Sequence, residues 1–290
     1  RLSGGWDQTQ QWKDRDSLGF RAYKFNLDTN YKITQTDQLR FAGGFVENKR
    51  FDGPIVENVA TDDKLRQGYV NLGVQGVNYF LRGYWTNVDI PSFIGTNPLL
   101  TSIIRVTDKN GSSEQSQTWN SYNIEGQYAY NFSEGNRITV GMNYRHNSIS
   151  SNFIDEFSRE NRFGLYLQDE LKITETLQAT GGIRLDLHNE INPTYSPRLA
   201  LIFRPHSDHT FRASIGLAYR PPTLYETNNQ SVGVFPLFFF STNLVGSPNL
   251  DPEQIISYEL GYQGWYLQHR LRLRADFFYN HLSDLIIFAR

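Results

Sequence analysis

Cysteine is absent from this chain of 290 residues, so disulfides, thiolate metal sites and cysteine nucleophiles are excluded. Also missing is any apolar run near the roughly 20 residues that a membrane-crossing helix needs. That excludes a helical membrane protein and says nothing of strands. There is no basic excess: 28 Lys and Arg stand against 30 Asp and Glu, giving a net charge of -2. With a pI near 6.3, a nucleic-acid footprint is not expected. Tryptophan is sparse at 5, whereas Phe and Tyr number 20 and 17. A mean hydropathy of -0.52 beside 14% aromatic residues describes a chain polar on average yet rich in rings. Membrane β-barrels have that composition, because every second residue faces water.

What is present is alternation. In "TFRASIGLAYRPPTLYE" (210–226), Phe211, Ala213, Ile215, Leu217 and Tyr219 alternate with Arg212, Ser214, Gly216, Ala218 and Arg220. The same period of two sets Ile138, Val140, Met142 and Tyr144 against Arg137, Thr139, Asn143 and Arg145. It recurs in "LQATGGIRLDLH", "IISYELGYQ" and "LRLRADFFYN", and less regularly near 18–33, 39–47, 65–75, 77–88, 117–132, 159–173 and 196–204. These segments predict about twelve strands, most near the 9–11 residues that cross a bilayer at a tilt. No stretch with helical spacing competes.

The connections alternate as well. Short links fall near 34–37, 75–76, 133–136, 173–176, 205–209 and 266–269, and longer ones near 48–64, 89–116, 147–158, 189–195 and 221–254. Short turns at one end and long loops at the other describe an outer-membrane barrel. A soluble sandwich would instead bury its apolar faces together. The expected fold is all-β: a transmembrane antiparallel up-and-down barrel, with the apolar face on outer-membrane lipid and the charged face inside. An open sheet would leave unpaired backbone edges in lipid.

Three segments carry a family resemblance: "SPRLALIFRPHSDHTFRASIGLAYRPPTLYE" (196–226), "GSPNLDPEQIISYELGYQG" (246–264) and "LYLQDELKITETLQATGGIRLD" (165–186). Together they resemble the barrel of TonB-dependent outer-membrane receptors. The resemblance implies a barrel of about 22 strands filled by a plug, of which residues 1–290 would be a part. It also implies active uptake of a scarce nutrient, with a ferric siderophore as the expected cargo. The TonB complex would be a partner through a plug region that this stretch does not contain. The first residues, "RLSGGWDQTQQW", lack a signal peptide's charged start and apolar core, and the pattern is already under way. The chain is therefore expected to be an internal piece. A passive porin or an adhesin-like barrel is the alternative.

Candidate ligand contacts lie in the loop 221–254 and at its neck. Phe235, Phe238, Phe239 and Phe240 in "SVGVFPLFFFSTN" are aromatics outside the expected strands, suited to stacking on a planar ligand or to packing within the loop. Arg220, Tyr225 and Glu226 stand where the strand leaves the membrane. Arg220 suits either an anionic chelate or an interior carboxylate. Pro221 and Pro222 end the strand, since proline donates nothing to a ladder. The interior residues Arg184, Arg198, Arg204, Arg212, Arg272 and Arg274 are expected to form a lining with Asp186, Glu259 and Asp276. His206 and His209 read as a polar turn rather than a metal site. Asp62 with Asp63, and Asp155 with Glu156, lack a calcium-loop pattern. No catalytic constellation, resident metal or cofactor is expected, and an enzyme is not the reading.

Overall fold

The computed structural model describes residues 1–9, 20–49, 59–60, 64–95, 105–112, 115–154, 157–235 and 240–287. Its first half holds β1 (Leu2–Thr9), β2 (Phe20–Lys32), β3 (Gln38–Lys49), β4 (Val59–Ala60), β5 (Lys64–Gln75), β6 (Tyr79–Gly95), β7 (Arg105–Thr107) and β8 (Gln115–Ser133). Then come β9 (Asn136–Ser151), β10 (Phe157–Lys172), β11 (Leu177–His188), β12 (Thr194–His206) and β13 (His209–Arg220). A five-residue helix α1 (Leu224–Asn228) precedes β14 (Gln230–Phe235), β15 (Phe240–Val245), β16 (Glu253–Tyr266) and β17 (Leu271–Ser283).

The long strands form one antiparallel meander in chain order, β1-β2-β3-β5-β6-β8-β9-β10-β11-β12-β13-β16-β17, with β4 attached to β6. The all-β, up-and-down wall expected from alternation is therefore what the chain builds. It differs in two respects. Strand β1 adds to the expected dozen, and several strands outrun a bilayer: β8 has 19 residues and β6 has 17. The expected loop 147–158 is accordingly strand for most of its length, since β9 reaches Ser151 and β10 starts at Phe157.

Register decides what each face carries. One apolar row crosses six strands through Leu171, Ala179, Leu201, Ala213, Leu260 and Phe277. Its neighbour runs through Leu199, Ile215, Tyr258 and Tyr279. These side chains have no protein over them: Leu260 is 62% exposed and Phe277 is 71% exposed. Among the described residues the only buried apolar ones are Ala22, Ala42, Ala129, Ile149, Phe153 and Ile154. A water-soluble sheet could not leave that much apolar surface bare, whereas a wall in lipid requires it. Aromatic rings cluster toward the strand ends of this face. His209 stacks on Tyr262 with ring centres 6.1 Å apart beside the β12–β13 turn, and Trp85 stacks on Tyr122 at 6.4 Å along β6 and β8.

The opposite face is polar and ion-paired, as the sequence led us to expect for the lining. Arg212 Nη2 lies 2.9 Å from Asp276 Oδ1, Arg40 Nη2 lies 2.6 Å from Asp28 Oδ2, and Arg82 pairs with Glu125. Arg184 pairs with Asp186 at 2.6 Å, and Arg272 Nη2 donates to Gln263 at 2.6 Å. Glycines make room for the larger members. Tyr166 lies flat over its cross-strand partner Gly141 and donates from Oη to Gln127 at 2.7 Å. Tyr69 does the same over Gly44, reaching Asn26 at 3.1 Å.

Threonines shape two of the tight turns. Thr34 Oγ1 accepts the Asp37 N–H at 2.9 Å, and Thr174 Oγ1 accepts the Leu177 N–H at 3.0 Å. A hydroxyl taking a nearby backbone N–H is the usual way such residues stabilise a turn.

Candidate functional site

The site is built around the connection after β13. Pro221 and Pro222 end that strand, and Thr223 then caps α1. Thr223 Oγ1 accepts the Glu226 N–H at 3.2 Å, while the Glu226 carboxylate takes the Thr223 N–H at 2.7 Å. This reciprocal pair satisfies donors that a helix start would otherwise leave unpaired. Arg220 locks the same corner. Its Nη1 and Nη2 each reach Glu226 at 3.1 Å, and its Nε donates to Glu253 Oε2 at 2.5 Å. Arg220 and Glu253 are direct cross-strand partners, so the fork fixes both ends of the long connection. Burial pushes the Glu226 carboxyl up, but the Arg220 and Thr223 hydrogen bonds outweigh it and hold it below the ordinary carboxylate range.

Beyond the corner, the described part of the loop 221–254 is built into secondary structure and pairs with neighbouring elements. Tyr225 donates from Oη to Gln117 Oε1 of β8 at 3.1 Å. Asn229 forms a β-bridge with Ile154, and the Gln230 N–H reaches the Phe153 carbonyl at 2.8 Å. β14 then pairs with β15 on one side and with β7 on the other, making a three-stranded rim sheet. The Gly246 N–H returns to the Asn229 carbonyl at 2.7 Å, and the Ser247 N–H to the Glu226 carbonyl at 3.0 Å. Phe153, Ile154, Thr107, Thr227 and Ser231 are buried in this assembly. Of the buried apolar side chains among the described residues, Phe153 and Ile154 therefore sit at the rim, whereas Ala22, Ala42, Ala129 and Ile149 are buried within wall strands.

The structure brings Arg220, Tyr225 and Glu226 into one corner but commits Arg220 to two carboxylates. Phe235 and Phe240 are cross-strand partners where the β14–β15 pairing ends. Phe238 and Phe239 lie outside the described residues, as do Asp62, Asp63, Asp155 and Glu156. His209 is an aromatic-belt residue, donating or accepting at 2.9 Å with Tyr262 Oη. No group of three metal-ligating side chains occurs among the described residues.

A second feature escaped the reading of the sequence. Beside the corner, a cleft of about 270 Å³ is lined by Arg145, Arg162, Arg184, Asp186, Leu187 and Tyr219, among others. It exists because β12 and β13 pair only from Arg198 and Gly216 onward, leaving their rim ends apart. Alternation placed Arg145 on the polar face, but nothing in the sequence showed that Arg162 would stand opposite it.

Comparison with known proteins converges on one family. The family profile described as "TonB dependent receptor-like, beta-barrel" matches residues 2–290. The vitamin B12 transporter BtuB of Vibrio vulnificus is 26% identical over 172 residues, covering 57% of this chain and 25% of that protein. The ferric enterobactin receptor PirA of Pseudomonas aeruginosa is 30% identical over 112 residues, 35% of this chain and 15% of the relative. Among solved structures, the siderophore receptor PirA of Pseudomonas aeruginosa superposes with a TM-score of 0.69 at 17% identity. That match covers 96% of this chain and 48% of the receptor. The FrpB iron transporter of Neisseria meningitidis gives 0.64 at 13% identity, covering 92% of this chain and 45% of the transporter. The chain thus spans about half of these solved chains and less of the sequence relatives.

Proposed function

The chain belongs to the TonB-dependent receptor β-barrel family of the bacterial outer membrane, and from that premise we propose that it walls an active-transport receptor for a scarce nutrient. The cargo is a ferric siderophore, and TonB supplies the energy through a plug held against the polar face. The observation that carries this reading is the crowded, ion-paired polar face opposite a bare apolar one. A wide passive pore needs water beside its lining. Here the flat-lying Tyr166 and Tyr69 and the paired arginines make a surface suited to being covered.

In this reading the rim sheet meets the ligand first. Tyr225 and the phenylalanines Phe235, Phe238, Phe239 and Phe240 contact the chelate, since rings stack on planar groups. Arg220 acts by holding the loop that presents them, through its bonds to Glu226 and Glu253. The names of the relatives support a metal chelate as cargo, with enterobactin and vitamin B12 both represented.

The test is uptake of radiolabelled ferric enterobactin by iron-starved cells lacking the gene, complemented by the whole protein with or without TonB. Uptake that needs both supports the proposal. Uptake that survives loss of TonB favours the passive-barrel alternative, and uptake of cyanocobalamin alone replaces the cargo.

A further inference from the structure

We propose that Arg145 and Arg162 form an anion-receiving pair on the polar face of the wall, with a carboxylate-class oxyanion seated between them. The two arginines are direct cross-strand partners of β9 and β10. Like charges placed directly opposite each other on one face of a sheet are destabilising. Their local partners do not offset this. Arg162 Nη2 reaches Glu160 Oε2 at 2.7 Å, but that carboxylate is already shared. Asn147 donates to its Oε1 at 2.5 Å, and His188 Nε2 contacts its Oε2 at 3.1 Å. His188 Nδ1 accepts the Glu190 N–H at 3.0 Å, so the ring proton sits on Nε2 and donates to Glu160. Arg145 reaches only a neutral acceptor, Tyr84 Oη, at 3.2 Å.

The Nε–H groups of both Arg145 and Arg162 are buried without an acceptor. Unpaired buried donors are uncommon and call for a ligand, an ion or water. Both residues line the rim cleft with Arg184, whose charge is taken up by the Asp186 carboxylate through Nε and Nη2. Three guanidinium groups therefore face two carboxylates, Glu160 and Asp186, and one positive charge is left over. Planar oxyanions match guanidinium forks in shape as well as charge. Ile191, in the connection between β11 and β12, lines the same cleft and sets an apolar side chain beside the anionic group.

Two sources supply that chemistry: an acidic side chain from elsewhere in the same protein, or a free anionic cargo. The inference rests on reading this face as the lumen side of a transport wall. Its test is a folding measurement, independent of uptake, so failure of either leaves the other standing. The whole protein, purified in detergent, is unfolded by heat as wild type, R145Q, R162Q and R145K, in sodium benzoate or in sodium chloride of equal ionic strength. A wild-type midpoint raised by benzoate over chloride, with the rise lost in R145Q, identifies a free anion. If benzoate has no effect, a midpoint lowered in both Gln variants but largely kept in R145K identifies an internal carboxylate. If benzoate has no effect and R145Q unfolds at or above the wild-type midpoint, the opposed charges are unbridged and the proposal is overturned. The benzoate comparison on wild type stands even where a variant fails to fold.

Discussion

Arg220 and Glu226 meet through two parallel bonds of 3.1 Å, and the same guanidinium donates to Glu253 across the strand pair at 2.5 Å. One side chain thus joins the end of β13, the first turn of α1 and the start of β16. The two prolines between Arg220 and Thr223 supply no N–H to the ladder, so the side-chain fork does what backbone pairing cannot.

Replacing Arg220 with Lys keeps the charge but loses the fork. We expect faster hydrogen exchange at the amides of Thr227, Asn229 and Ser247, with no change in heat-modifiable folding of the barrel. Because the pair is partly exposed, the loss is about 0.5–1 kcal/mol of local opening energy. Unchanged exchange at those amides contradicts the holding role.

Acid should loosen the same corner. The Glu226 carboxyl is held below its ordinary value of 4.5 by Arg220 and Thr223, against the upward push of burial. A depressed carboxylate stabilises fully above the ordinary carboxylate range, and that contribution fades as pH falls through the depressed value. Exchange at Thr227 and Asn229, corrected for intrinsic pH dependence, should rise below about pH 4 in wild type. In Glu226→Gln it should already be fast at pH 7 and gain little on acidification. Parallel pH profiles for the two proteins count against the linkage.

Facing can be tested by charge placement. Leu260 lies at the middle of β16 in the apolar row, and Ser214 faces the other way, with its Oγ 3.3 Å from Glu259. Leu260→Arg should cost about 2–4 kcal/mol and sharply reduce assembled barrel. Ser214→Arg, beside Glu259, should assemble near the wild-type level. Equal heat-modifiable mobility of both variants disproves the sidedness.

The Gly141–Tyr166 pair predicts a non-additive result. A Cβ at Gly141 would run into the Tyr166 ring, so Gly141→Val should destabilise by about 1–3 kcal/mol. In the Tyr166→Ala background the same change should cost much less, giving a coupling above about 0.5 kcal/mol. Additive costs in denaturant unfolding would show that the ring does not use the glycine's space.

The wall was legible because a period of two fixes which face each residue takes, whatever the neighbours are. Leu260 and Glu259 can be sorted without a structure, and "RPP" marks the strand end by chemistry alone. β1 was missed because "LSGGWDQT" dilutes its alternation with two glycines, and glycine weakens a strand signal. The rim was illegible for another reason. β14 pairs with β7 across more than a hundred residues, as Val232 opposite Thr107 shows, and no local pattern encodes such a partner. The Arg145–Arg162 opposition likewise depends on the register of β9 against β10, which neither strand's own pattern fixes, so each arginine read singly looked like ordinary lining.

The rim sheet also has a mechanical consequence. Three separate connections are stitched into it: the segment of β7, the turn at Phe153–Ile154, and the span from Thr223 to Gly246. A pull on any one is transmitted through backbone bonds to the other two, so these connections are coupled like the staves of a hatch. Admitting a bulky solute past this stretch means either tilting the hatch as a single piece or tearing a β-ladder.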